Sequence, residues 1–168
     1  MARKWSVPGV LIAAMASCLA MLPQRIISAA PSITEILYGL GAFERVVAVS
    51  DYCTYPPAVK SLPRIGGWST PSLERLAGLR PDLVVLTDAQ VPLLQDGLHE
   101  LGVHTVVTPS RTIEDVFTAI EMIGRSTGME REARDLAGAT RAALEHARAR
   151  LAASVGIVRR GQDPRLIA

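Results

Sequence analysis

The sequence is short of cysteine, histidine, aromatics and lysine, and the first two shortages each remove a class of protein. Two cysteines occur in 168 residues, Cys18 and Cys53. The first lies in a leader-like segment, so Cys53 has no partner, no disulfide framework is available, and stability has to come from packing. The histidines number three, and His99 and His104 stand five apart around a helix end, a spacing that does not share one helical face as metal ligands would. No metal and no cofactor is expected. An excess of one charge is missing too: Lys+Arg total 18 against 16 Asp+Glu, a net +2, and no basic run exceeds Arg159-Arg160. Nucleic acid is therefore a poor partner. Only Lys4 and Lys60 are lysines, a bias without functional meaning. There is no phosphate loop, HExxH or GxSxG, and Gly39-Leu40-Gly41 reads as a helix stop, not a dinucleotide fingerprint. An enzyme using Cys53, His99 or Asp88 would need a paired acid and base, and none stands at a recognisable spacing. The reading is a non-enzyme in which Cys53 is a structural thiol.

What the chain does have is apolar substance, 49% hydrophobic against 20% charged, enough to bury a core. Met1 to Trp5 carries positive charge, and Val7 to Leu22 follows as sixteen residues without any. That is the shape of a signal sequence over residues 1–24 and implies a periplasmic or otherwise extracytoplasmic protein. Three outcomes stay open: cleavage at a small-x-small site with release, lipid attachment at Cys18 within Met15-Ala16-Ser17-Cys18, or an uncleaved N-terminal anchor. After Leu22 no apolar run approaches the roughly 20 residues a spanning helix needs. Membrane contact is expected only through such an anchor.

From Arg25 onward short apolar runs alternate with helical patterns. Strands are expected at 25–29, 46–49, 83–87 and 105–107. Helices are expected at 32–39, at 70–79 with Pro71 in the first turn, at 92–101 and at 113–124. This alternation gives an α/β fold with a parallel sheet and right-handed crossovers. Residues 25–128 form that lobe. From Met129 to about residue 154 alanine, arginine and glutamate with leucines at 136, 144 and 151 predict one long helix, about 37 Å at 1.5 Å per residue. That exceeds what a small sheet needs for cover. Val155 to Val158 reads as a strand opening a further segment, 155–168.

In an open parallel sheet the ligand crevice lies beyond the carboxyl ends of the strands. The residues there are Pro31 and Ser32, Tyr52, Gly67 and Trp68, Asp88, and Ser110 with Arg111. Aromatics total seven, yet Tyr52, Tyr55 and Trp68 cluster in a stretch whose Pro56-Pro57, Pro63 and Gly66-Gly67 oppose regular helix. Such a loop either presents flat rings to a large flat ligand or packs over the sheet edge. Ser32-Ile33-Thr34-Glu35 reads as a capping box, and Glu35 could in addition meet an arginine of a partner.

The order Pro31-Ser-Ile-Thr-Glu, Tyr52-Cys-Thr-Tyr-Pro-Pro, Ile65-Gly-Gly-Trp-Ser and Leu73-Glu-Arg-Leu with Arg80-Pro-Asp-Leu-Val-Val resembles the periplasmic binding proteins for cobalamin and iron chelates that serve ATP-binding cassette importers. The resemblance runs from about residue 25 to about 153. It implies a Rossmann-like N-terminal lobe followed by the long inter-lobe helix, with the second lobe largely missing. It implies cobalamin or a related corrinoid as ligand, contacted by Tyr52 and Trp68, with siderophore or haem iron chelates as the alternative. Arg64 and Arg111 are the cations that could serve an anionic chelate. Glu35 matches the family's docking glutamate, so the implied partners are a permease and its ATPase. A truncated fragment without binding activity is the remaining reading.

Overall fold

The computed structural model describes residues 22–161. Strand β1 is Ile26–Ser28, followed by α1, Pro31–Gly39, β2, Val46–Val49, α2, Leu73–Gly78, and β3, Leu83–Thr87. Then come α3, Val91–Glu100, β4, His104–Thr108, α4, Ile113–Thr127, and α5, Glu130–Gly161. The strands form one parallel sheet in the order β2-β1-β3-β4.

Both faces of that sheet are covered, which is why β3 is buried at every position. Strand periodicity divides the apolar residues between two layers. Ile26, Leu83, Val85 and Val106 face α1, α4 and the start of α5, packing with Ile33, Leu37, Ile120, Ile123 and Ala133. Ile27, Ala48, Val84 and Leu86 face the other way, onto Leu76 of α2 and Leu94 and Leu98 of α3. The α4–α5 crossing is close because Gly124 lacks a side chain: a Cβ there would stand 2.4 Å from the Ala133 Cβ. Further along, the Arg141 guanidinium sits 4.0 Å over the Phe117 ring. Beyond that contact α5 runs clear of the lobe, and Leu151 is 67% exposed.

Three expectations at element ends are corrected. Helix α1 begins at Pro31, with Ala30 as N-cap and no side-chain cap bond. Proline has a preset φ and no N–H to lose, so it suits the first helical position. Ser32 and Glu35 then lie inside the helix, and the Ser32–Glu35 capping box does not form. Helix α2 starts after its cap Ser72, whose hydroxyl accepts from the Arg75 N–H. Pro71 lies outside it, bridged to Gly66. The Val155–Val158 strand is absent, since α5 continues through these residues. Alanine- and arginine-rich neighbours favour helix, and the run has no strand beside it among the described residues. Cys18 and nearly all of the leader lie outside the described residues, as do 162–168. Among the described residues no helix is long and apolar enough to cross a membrane.

Candidate ligand-binding site

Parallel strands carry all their carboxyl ends to one edge, and the expected residues gather there in two groups on either side of β1. On the β2 side a minimal extra strand forms. Val49 donates to Pro63 O at 3.1 Å and Ile65 donates to Val49 O at 3.0 Å, pairing Arg64 in parallel with Val49. Both segments then turn at the crevice edge, and Asp51 N–H donates to Gly66 O at 3.0 Å. Gly66 takes φ +106, and a Cβ there would meet Thr70 O at 2.6 Å, so the turn requires glycine. The turn sets Gly67 against Tyr52, whose ring carbon Cε2 is 3.8 Å from where a Gly67 Cβ would be. Tyr52 is 63% exposed and Trp68 39%. Two flat side chains thus stand in solvent around a bare glycine.

On the other side, Ser32 lines a cleft of about 120 Å³ between the starts of α1 and α4, with Thr108, Pro109 and Ser110. Pro31 opens α1 at the same edge. Asp88 accepts from the Ser110 hydroxyl at 2.6 Å and from Ala89 N–H at 3.0 Å, and pairs with Arg111 at 3.4 Å. Asp88 is therefore engaged by the next strand-end loop.

Tyr55 goes elsewhere. Its ring meets Tyr38 edge to face at 5.5 Å between centroids, and Tyr38 meets Phe43 at 5.9 Å. Tyr38 lies in the last turn of α1, away from the helix start at the crevice, so Tyr55 is not brought together with Tyr52 and Trp68. Glu35 points outward on α1 beside a groove of about 270 Å³ lined by Ile36, Val116, Ile120, Leu136 and Thr140. It has no ion pair among the described residues.

The remaining polar side chains serve the scaffold. Arg64 donates from Nη1 to Ser50 O and Cys53 O, both at 2.8 Å, and from Nη2 to Val59 O at 3.2 Å. Its charge is directed into the loop that carries Tyr52. Cys53 is buried, accepts from the Thr34 hydroxyl at 3.1 Å and meets Ser50 Oγ at 3.2 Å. His99 lies in the last turn of α3 and His104 begins β4, at the opposite edge of the sheet from Cys53. Among the described residues no cluster of three or more His, Cys, Asp or Glu side chains forms a metal site.

One residue of the site escaped the sequence reading. Gln90 is 1% exposed and joins both groups. Its Oε1 accepts from Thr87 N–H at 3.1 Å and from the Thr87 hydroxyl at 3.2 Å. Its Nε2 donates to Ala29 O at 3.0 Å and to Trp68 O at 3.3 Å. The signal was present: Thr87-Asp-Ala-Gln90 has the Ser/Thr-x-x-Glu/Gln pattern of a capping box, directly after a strand.

Comparison with known proteins agrees with this architecture. Over 118 residues the chain is 34% identical to an uncharacterised ABC transporter substrate-binding lipoprotein of Bacillus subtilis (strain 168), covering 68% of this chain and 37% of that one. The periplasmic vitamin B12 binding protein of Vibrio cholerae superposes with a TM-score of 0.70 at 30% identity, covering 77% of this chain and 51% of that one. A periplasmic heme binding protein from Pseudomonas aeruginosa gives 0.73 at 26%, covering 84% and 50%. The chain thus spans about two fifths of the curated relative and half of each solved structure. The periplasmic binding protein model matches residues 26–162, which takes in every strand and all of the crevice, and the chain belongs to that family.

Proposed function

We propose that this chain is a ligand-holding lobe of an extracytoplasmic solute-binding protein of an ABC importer, and that its ligand is cobalamin or a related corrinoid. The observation that carries this reading is the pair of exposed rings, Tyr52 and Trp68, set around Gly67 at the strand ends. A corrin is broad and apolar on its face with amides at its rim. Aromatic side chains bury such a face at small conformational cost, and nearby main-chain groups meet the rim. Pro31, Ser32 and Asp88 supply the other side of the crevice.

The second reading is haem or another iron chelate, favoured by the heme-binding structure as close in fold as the vitamin B12 one. An anionic chelate asks for free cations at the crevice. Arg64 is taken up by three carbonyl oxygens and Arg111 is paired with Asp88, which supports the corrinoid. Glu35, exposed and free of an ion pair among the described residues, supports docking to arginines of a permease that works with its ATPase. Lipid attachment at Cys18 is supported by the name of the Bacillus subtilis relative. Mass spectrometry of the mature N-terminus tests it, and an unmodified terminus beyond Cys18 would exclude it.

The test of the ligand is isothermal titration with cyanocobalamin and, separately, with haem. Saturable cobalamin binding, weakened by Trp68→Ala and unchanged by Glu35→Ala, is the expected result. A flat cobalamin titration with saturable haem binding would transfer the assignment to haem. Glu35→Ala should abolish uptake of labelled cobalamin while leaving that titration intact.

A further inference from the structure

We infer that Gln90 is the positioning residue of the crevice, the group that sets where Trp68 stands; its bearing on ligand affinity rests on the corrinoid reading above. A primary amide has two N–H donors and an oxygen with two lone pairs. In Gln90 all four are used: both acceptor sites by Thr87, and the two donors by Ala29 O and Trp68 O. The reverse amide orientation would set an oxygen against two carbonyls and an NH2 against the Thr87 N–H. One orientation alone satisfies the site.

The three partners come from separate pieces of chain. Ala29 directly follows β1, Thr87 ends β3, and Trp68 lies in the loop that crosses from the β2 edge to α2. Around Trp68 the loop is held at Gly67, whose carbonyl accepts from Thr70 N–H at 3.2 Å, and at Ser72, whose N–H donates to Ile65 O at 2.7 Å. Those bonds close the loop on itself and on the edge strand. Among the described residues, the hydrogen bond that joins Trp68 to the body of the sheet is the one from Gln90. The amide is buried while the ring it positions is exposed, so its effect reaches the crevice through the backbone of Trp68.

The experiment uses the full chain with Trp5→Phe, leaving Trp68 as the only tryptophan. Gln90→Met keeps length and volume and removes every hydrogen bond; Gln90→Glu keeps an acceptor but turns a second oxygen towards Ala29 O and Trp68 O. Leu94→Ala, in the same core layer beneath α3, is the control for general loss of stability. Without any ligand, Gln90→Met should make Trp68 more accessible to acrylamide and lower its fluorescence anisotropy, whereas Leu94→Ala should change neither. Cyanocobalamin affinity should then fall about tenfold, as for loss of a buried hydrogen bond at a ligand wall. In Gln90→Glu the anisotropy should recover as pH falls, because the protonated acid can donate again, and this response remains a test if the methionine variant does not fold. Unchanged quenching and anisotropy in a folded Gln90→Met, or no pH response in Gln90→Glu, would overturn the inference. A loosened Trp68 in a chain whose parent shows no cobalamin binding would leave Gln90 as positioning residue and remove the corrinoid reading instead.

Discussion

Arg64 shows what a charged residue can do when it is turned inward. Its guanidinium donates to carbonyl oxygens of Ser50, Cys53 and Val59, so a single side chain closes the bend that carries Tyr52. Hydrogen bonds from a charged donor are stronger than neutral ones, and loss of this partner takes the donor from Cys53 O, while Ser50 O and Val59 O keep the N–H groups of Cys53 and Leu62. Arg64→Met should therefore lower unfolding stability by about 2–3 kcal/mol in urea titrations, and should weaken whatever binds at Tyr52. A stability change within error would show that water replaces the guanidinium without cost. From sequence, Arg64 was a cation beside a crevice and nothing more. Its role depends on where three carbonyls point, which no local pattern records. Tyr52 and Trp68 were legible for the opposite reason: they follow directly on strand ends, and the parallel sheet dictates that such positions share an edge. Tyr55 lies three residues on, enough for the chain to turn it onto Tyr38.

At the scale of elements, legibility followed the strength of the boundaries. Strands β2 and β3 lie where the apolar runs are bounded by breakers, Arg80-Pro81-Asp82 ahead of β3 among them. Helix starts moved wherever two residues competed for the cap. At α1 the proline took first place; at α2 the serine did, with the proline left outside. Helix α4 has an unambiguous start, since Thr112 and Asp115 cap one another: Thr112 Oγ1 accepts from Asp115 N–H at 3.1 Å, and the Asp115 carboxylate accepts from the Arg111 and Thr112 N–H groups, both at 2.8 Å. These bonds, that from Arg111 foremost, hold the Asp115 carboxyl below its ordinary value of 3.8. Because the folded value lies below the unfolded one, folding favours the ionised form. The contribution is complete above the ordinary carboxylate value and is lost as pH falls through the lower, folded one. Thermal melts of the parent and Asp115→Asn should thus differ at neutral pH and converge on acidification below that ordinary value. A gap that persists to the acid limit would assign the effect to shape and not to charge.

For the molecule as a whole, all described residues of the crevice belong to the edge of one sheet. Exposed rings at the end of a single sheet can cover one face of a flat ligand. Affinity depends on the surplus left after the costs of association are met; on the corrinoid reading, cyanocobalamin held by these residues alone should therefore bind more weakly than it does to the vitamin B12 binding protein of Vibrio cholerae in the same titration. Equal affinities would mean that one face supplies nearly all of the free energy. The overhanging half of α5 belongs to this scale too, as its length exceeds anything the sheet beneath it uses.

Strand order also has a consequence in time. The first described strand, β1, is an inner strand of the sheet, flanked by β2 through Ile26↔Val46 and by β3 through Ile26↔Leu83. A chain that emerges N-terminus first shows its innermost apolar strand before either neighbour exists, and no part of the sheet can close around it until the residues of β3 have followed. Strand β4, ending at Thr108, pairs only with β3 among the described residues. Completing the pairing of β1 thus needs contact between Ile26 and Leu83, a long-range parallel pairing of the kind that forms slowly.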